Sequence, residues 1–98
     1  MNQEQQDEVI DKITLMNGDQ YNLIKAAEEA SELATVLLQT ATKPGKVDAQ
    51  EVIDEIGDVQ IRLEILKRMY GEVSVRKRIE YKLSKYREYL DHERFKHI

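Results

Sequence analysis

Apolar residues along this chain recur three and four positions apart, and no stretch alternates apolar with polar, so the pattern predicts helices throughout. Val9, Ile10, Ile13 and Met16 mark a first helix over 3–16, which "NGD" at 17–19 ends. A second helix over 19–42 follows, with Asp19 as its expected N-cap. "KPGK" at 43–46 predicts a turn, because proline fixes its own backbone and glycine does not continue a helix well. Asp48, with Glu51 three residues on, resembles a capping box and opens a third helix over 48–70, with Gly71 placed as its C-terminal cap. A fourth helix is expected over 73–95, starting at Ser74 or just before it, with a tail, "DHERFKHI", that frays as chain ends often do.

The expected architecture is thus all-α: a single four-helix domain over 1–98 whose short connections set neighbouring helices antiparallel. A chain of 98 residues has room for one core and leaves much of its surface uncovered. Packing against further copies is the expected way to complete such a core, giving an oligomeric helical bundle.

Acids interrupt the apolar pattern twice, at "EEASEL" (28–33) and "EVIDEIGDV" (51–59). With Glu29 as the origin of a helical wheel, Glu32 falls at about −60°, with Val36 at about −20° between them and Leu33 at about +40°. In the third helix Glu51, Asp58 and Arg62 lie within about 60° of Glu55, bordered by Val52, Val59 and Leu66 on one side and Ile61 and Ile65 on the other. Ionised carboxylates at the edge of a core are costly unless something compensates them. Ion pairing to Arg62, Lys25 or the basic fourth helix is one form of compensation, and a divalent cation is the other. Oxygen-only donors favour Mg²⁺, or Mn²⁺ in its place, over zinc and iron. A ferritin-like di-iron centre would need Glu-x-x-His pairs, and both histidines, His92 and His97, lie in the tail.

Charge narrows the ligand class. Residues 1–61 hold 13 Asp/Glu against 4 Lys/Arg, whereas residues 62–98 hold 6 against 11. Such polarity lacks the dominant basic face of a general nucleic-acid binder and suits a ligand that combines cations with phosphates. The absence of cysteine excludes disulfides and thiolate metal sites. The polar start "MNQEQQDEVI" does not have the order of a signal peptide, and no apolar run reaches the roughly 18 residues of a membrane span. The expectation is a soluble cytoplasmic protein without membrane partners.

The order Glu28-Glu29-x-x-Glu32, a short loop, then Glu55-x-x-Asp58 resembles the all-α nucleoside triphosphate pyrophosphohydrolases of the MazG-like kind. The resemblance runs from about Asn22 to Leu90 and includes "ATKPGK", "EIGDV", "MYGEV" and "YKLSKY". It implies a four-helix module, dimeric or, as the short chain favours, tetrameric, with sites at subunit interfaces. It also implies Mg²⁺-dependent hydrolysis of (d)NTPs to the monophosphate and pyrophosphate, an activity that would clear aberrant nucleotides or adjust nucleotide pools.

Carried over by position, Glu29, Glu32, Glu55 and Asp58 would hold metal. Glu28 would complete the cluster, as a further metal contact or by orienting the attacking water. Lys43, Lys82 and Lys85 stand where the family carries basic residues, Arg62 follows Asp58 by one turn, and Asn22 is a candidate for touching the base. Gly57 departs from the alanine of many relatives, at a helix-propensity cost of about 1 kcal/mol. With no tryptophan and only Phe95 besides the tyrosines, the stacking partner for a base is unidentified, since Tyr81, Tyr86 and Tyr89 have the spacing of packing residues. A nucleotide-sensing relative without turnover, and a non-catalytic helical interaction module whose acids serve ion pairs, are the alternatives.

Overall fold

The computed structural model describes residues 1–92, which form four helices: α1 Gln3–Asn17, α2 Asp19–Thr42, α3 Ala49–Tyr70 and α4 Glu72–Asp91. Among these residues there is no strand. The expected continuation of the fourth helix to residue 95, and most of the tail expected to fray, lie outside the described residues.

The helix ends follow local chemistry. Asp48 caps α3, accepting from the Glu51 N–H at 2.9 Å. Asn2 and Gln5 form a reciprocal capping box at the start of α1, with Oδ1 of Asn2 accepting from the Gln5 N–H at 2.8 Å and Oε1 of Gln5 accepting from the Asn2 N–H at 3.0 Å. Asp19 is not the cap of α2: Gly18 (φ 77°) takes that place, and Asp19 becomes the first helical residue, where its charge complements the helix dipole. Gly71 ends α3 and at once begins α4, at a φ of 109° that L side chains rarely adopt. The fourth helix accordingly starts at Glu72, ahead of the expected position.

The main packing is α2 against α3, and α4 packs against α3 alone. Covered positions form a regular stripe on each partner: 22, 26, 29, 33 and 36 on α2, and 52, 55, 59, 62 and 66 on α3. That alternation of three and four is the repeat of a helix–helix seam. Its polar members are Asn22, Glu29, Glu55 and Arg62.

α1 is held mainly by polar groups. Arg68, 22% exposed, donates from Nε to Asp11 at 2.6 Å and from Nη2 to Asp7 at 3.2 Å, while its Nη1 reaches the Glu64 side chain at 3.1 Å. Asn22, with no exposed surface, donates from Nδ2 to the Thr14 carbonyl at 3.1 Å, one of the last-turn acceptors that α1 cannot satisfy itself. Of the four apolar residues that marked the first helix, Ile10 and Ile13 turn toward the rest of the chain, whereas Val9 and Met16 remain exposed.

Little apolar surface is enclosed. Ile65 is the one buried apolar residue among those described, while Leu15, Met16, Leu38, Ile53 and Leu83 stand open. The accessible surface is 7893 Å², against about 5,800 Å² for a compact monomer of this mass. The radius of gyration is 16.6 Å, against about 13 Å for a compact domain of this length.

Replacing Arg68 by alanine should lower stability by about 1–2 kcal/mol, because three carboxylates lose a shared partner. Hydrogen exchange should show the loss concentrated in α1; uniform exchange along the chain would contradict this account. Bonding from Lys67 and its charge, then the bond and charge of Arg68, hold the Glu64 carboxyl below its ordinary value. That stabilisation is fully present above the ordinary carboxylate value and is lost as pH falls through the lowered one.

Candidate functional site

α2 and α3 bring the two acidic stretches together. Glu29, Glu32 and Glu55 each offer a carboxylate oxygen, and the three oxygens lie within 4.8 Å of one another. They form the one group among the described residues with such spacing. The register of the seam produces this convergence: Glu29 and Glu55 occupy covered positions, and Glu32 sits at the open edge, beside a shallow pocket lined by Ser31, Thr35 and Val36.

The electrostatics are those of an acid cluster only partly compensated by Lys25. Burial first, then repulsion from Glu32, Asp58, Glu29 and Asp54, raises the Glu55 carboxyl above its ordinary value. Asp58 therefore acts on the cluster through its charge while lying outside the tight triad. One oxygen of Glu29 and one of Glu55, the Oε2 atom in each, are buried without a hydrogen-bond partner. Nη1 of Arg62 and Oδ1 of Asn22 are in the same condition. Polar atoms are thus left unsatisfied on all four polar side chains of the seam, where buried groups are ordinarily paired.

Ion pairing accounts for part of the acidic stretch. Nζ of Lys25 lies 3.5 Å from Glu28 and 3.7 Å from Glu29, so Glu28 points to that lysine and not into the triad. Their charges, Glu28 first, raise the Lys25 ammonium above its ordinary value. Glu32, Glu55 and Asp58 make no ion pair among the described residues, and neither does Arg62, which had the spacing to supply one.

The other candidates are dispersed. Lys43 is the C-cap of α2, with its backbone N–H on Gln39 and its side chain exposed. On α4, Lys82 lies over the Tyr86 ring at 5.1 Å, and Lys85 over Tyr81 at 5.8 Å. Tyr81 and Tyr89 are exposed and only Tyr86 is half-buried, so the three tyrosines pack less than their spacing predicts. Asn22, a candidate for touching the base, is fully enclosed in α2, where its amide serves the last turn of α1. A side chain without accessible surface presents no face to a base.

Sequence reasoning missed the anchoring of α1 by Arg68, whose partners lie 57 and 61 residues away. The pairing of Lys25 was legible in its spacing, i to i+3 and i+4.

The donor set fits a hard divalent cation: three carboxylates converge, two of them carry a buried oxygen without a partner, and neither nitrogen nor sulfur is among the donors. No family model matches this sequence, and neither the curated proteins nor the solved structures provide a significant match to it.

Proposed function

We propose that this chain is a Mg²⁺-dependent nucleoside triphosphate pyrophosphohydrolase of the MazG-like kind, converting (d)NTPs to (d)NMPs and pyrophosphate. The observation that carries the reading is the convergence of Glu29, Glu32 and Glu55, with unsatisfied carboxylate oxygens, in the α2–α3 seam. Glu29, Glu32 and Glu55 would hold the ion, with Asp58 at the edge of the same charge field. When bound, Mg²⁺, or Mn²⁺ in its place, supplies neutralisation of phosphate oxygens and acidification of a water. The proposed hydrolysis would add water to the α-phosphorus as the bond to the bridging oxygen breaks, so that pyrophosphate would carry that oxygen away and the water's proton would pass to solvent. Glu28, paired to Lys25 just outside the triad, is assigned to orienting that water from the rim of the site, and Lys43, Arg62, Lys82 and Lys85 to phosphate contacts.

The reading includes self-association, with antiparallel helices in each copy and a tetramer favoured over a dimer. Its support is an accessible surface about 2,000 Å² above that of a compact monomer, more than the roughly 600–1,000 Å² each partner contributes to a stable interface. Apolar residues such as Leu38, Ile53 and Leu83 are available for it. No helix among the described residues is long and apolar enough to cross a membrane.

The Lys25 pairs favour a second reading, an interaction module with charge-balanced acids, but they leave Glu32, Glu55 and Asp58 uncompensated. Pyrophosphate release from a panel of canonical and modified dNTPs and NTPs, with Mg²⁺, Mn²⁺ or chelator, separates the two. Metal-dependent release is expected, lowered at least about a hundredfold by Glu32→Ala; no release from folded protein would favour the module. Light scattering should return a tetramer or a dimer, and a monomer would remove the oligomeric part of the proposal.

Stability provides an independent check. Folding raises the Glu55 carboxyl, so the folded chain holds that proton more tightly than the unfolded one, and repulsion is relieved as pH falls through the raised value. Glu55→Gln should therefore raise Tm by a few degrees at neutral pH, with the gain shrinking toward acid. A gain that persists unchanged at low pH would mean that repulsion is not its source.

A further inference from the structure

The cluster is acidic, yet a cation already stands at its rim. Lys25 lies one turn before Glu29 on α2, with its ammonium 3.5 Å from Glu28 and 3.7 Å from Glu29. Both distances exceed the roughly 2.7–3.2 Å of a directed N–H···O bond, so the lysine offsets charge without fixing the orientation of either carboxylate. Its side chain is 33% exposed, which leaves it a route to solvent, whereas that of Glu29 is only 14% exposed and has little freedom to leave. Glu29 is therefore shared. Its Oε1 is the oxygen nearest the ammonium, its Oε2 is buried without a partner, and the carboxylate belongs to the convergent triad.

We infer that Lys25 is the resident counter-cation of this site and competes with a divalent cation for Glu29. A dication entering the triad would come close to the ammonium, in a place where like charges are incompletely screened. Glu28, the other partner of Lys25, lies outside the triad and can retain the lysine on the outer side as Glu29 is released. The lysine thereby weakens capture of a bare cation while keeping the unloaded site from holding a fully uncompensated acid cluster. This inference rests on the reading of the triad as a divalent-cation site.

The test is Mn²⁺ binding without nucleotide, followed by electron paramagnetic resonance and calorimetry, on the whole chain and its variants. Lys25→Met should bind Mn²⁺ about three- to tenfold more tightly than the unmodified chain, and Lys25→Gln, a second neutral variant, should do the same. Lys25→Arg, which keeps the charge, should retain the original affinity. Lys12→Met, which removes an equal charge from the exposed Glu8 pair on α1, should also leave it unchanged. Unchanged or weaker binding in both neutral variants, with Mn²⁺ binding in the unmodified chain that Glu32→Gln removes, would overturn the role of Lys25 and leave the metal reading standing. Equal tightening by Lys12→Met would also overturn it, since net charge alone would then be responsible. Absence of Mn²⁺ binding in every variant would overturn both readings together.

Discussion

Repulsion among Glu29, Glu32 and Glu55 is the interaction against which the pairing of α2 and α3 has to form. The seam that joins these helices is the principal packing in the chain, and it places Glu29 and Glu55 at positions where apolar residues would ordinarily contribute burial. Leu33, Val36, Val52, Val59 and Leu66 supply the apolar part of that stripe. Two carboxylates in such positions reduce what the seam contributes to stability. The raised Glu55 carboxyl is the clearest sign of that conflict.

The surrounding structure limits the conflict in two ways. Lys25 shares its charge between Glu28 and Glu29 at the outer edge, so the convergent acids are only partly uncompensated. Arg68 and Asn22 tie α1 to α3 and α2 through directed polar bonds, which adds a third helix to the pair. Those attachments do not depend on a large apolar core, and Ile65 alone among the described apolar residues is fully enclosed. Where burial contributes little, a part-exposed guanidinium bond or a helix-capping amide carries correspondingly more of the tertiary organisation.

Helix number and approximate bounds were legible because apolar spacing, the "KPGK" turn, Asp48 and Gly71 act locally. Asp19 was misplaced as a cap because Gly18, with its positive φ, already redirects the chain there. The convergence of Glu29, Glu32 and Glu55 was legible in part from helical phase, which puts Glu29 and Glu55 on the facing sides of their helices and Glu32 at the open edge beside them. The placement of Glu28 was less so: one step around the helix directs it to Lys25 and away from the triad. Asn22 and Arg68 could not be read in this way, because their partners belong to another helix and depend on how α1 folds back. The exposure of Tyr81 and Leu83 was likewise hidden, for helical spacing defines a face without saying that the same chain covers it.

Gly71 has a further consequence. A single residue separates α3 from α4, and among the described residues α4 packs against α3 and no other helix. The direction of α4 is therefore set by the backbone torsions of Gly71 together with its packing on α3. In a helix of 20 residues, about 30 Å long, a rotation of roughly 10° at its base moves the far end by about 5 Å. Gly71 thus works as the fulcrum of a lever: a small torsional adjustment there is magnified into a large sweep of the basic, tyrosine-bearing arm that carries Lys82 and Lys85.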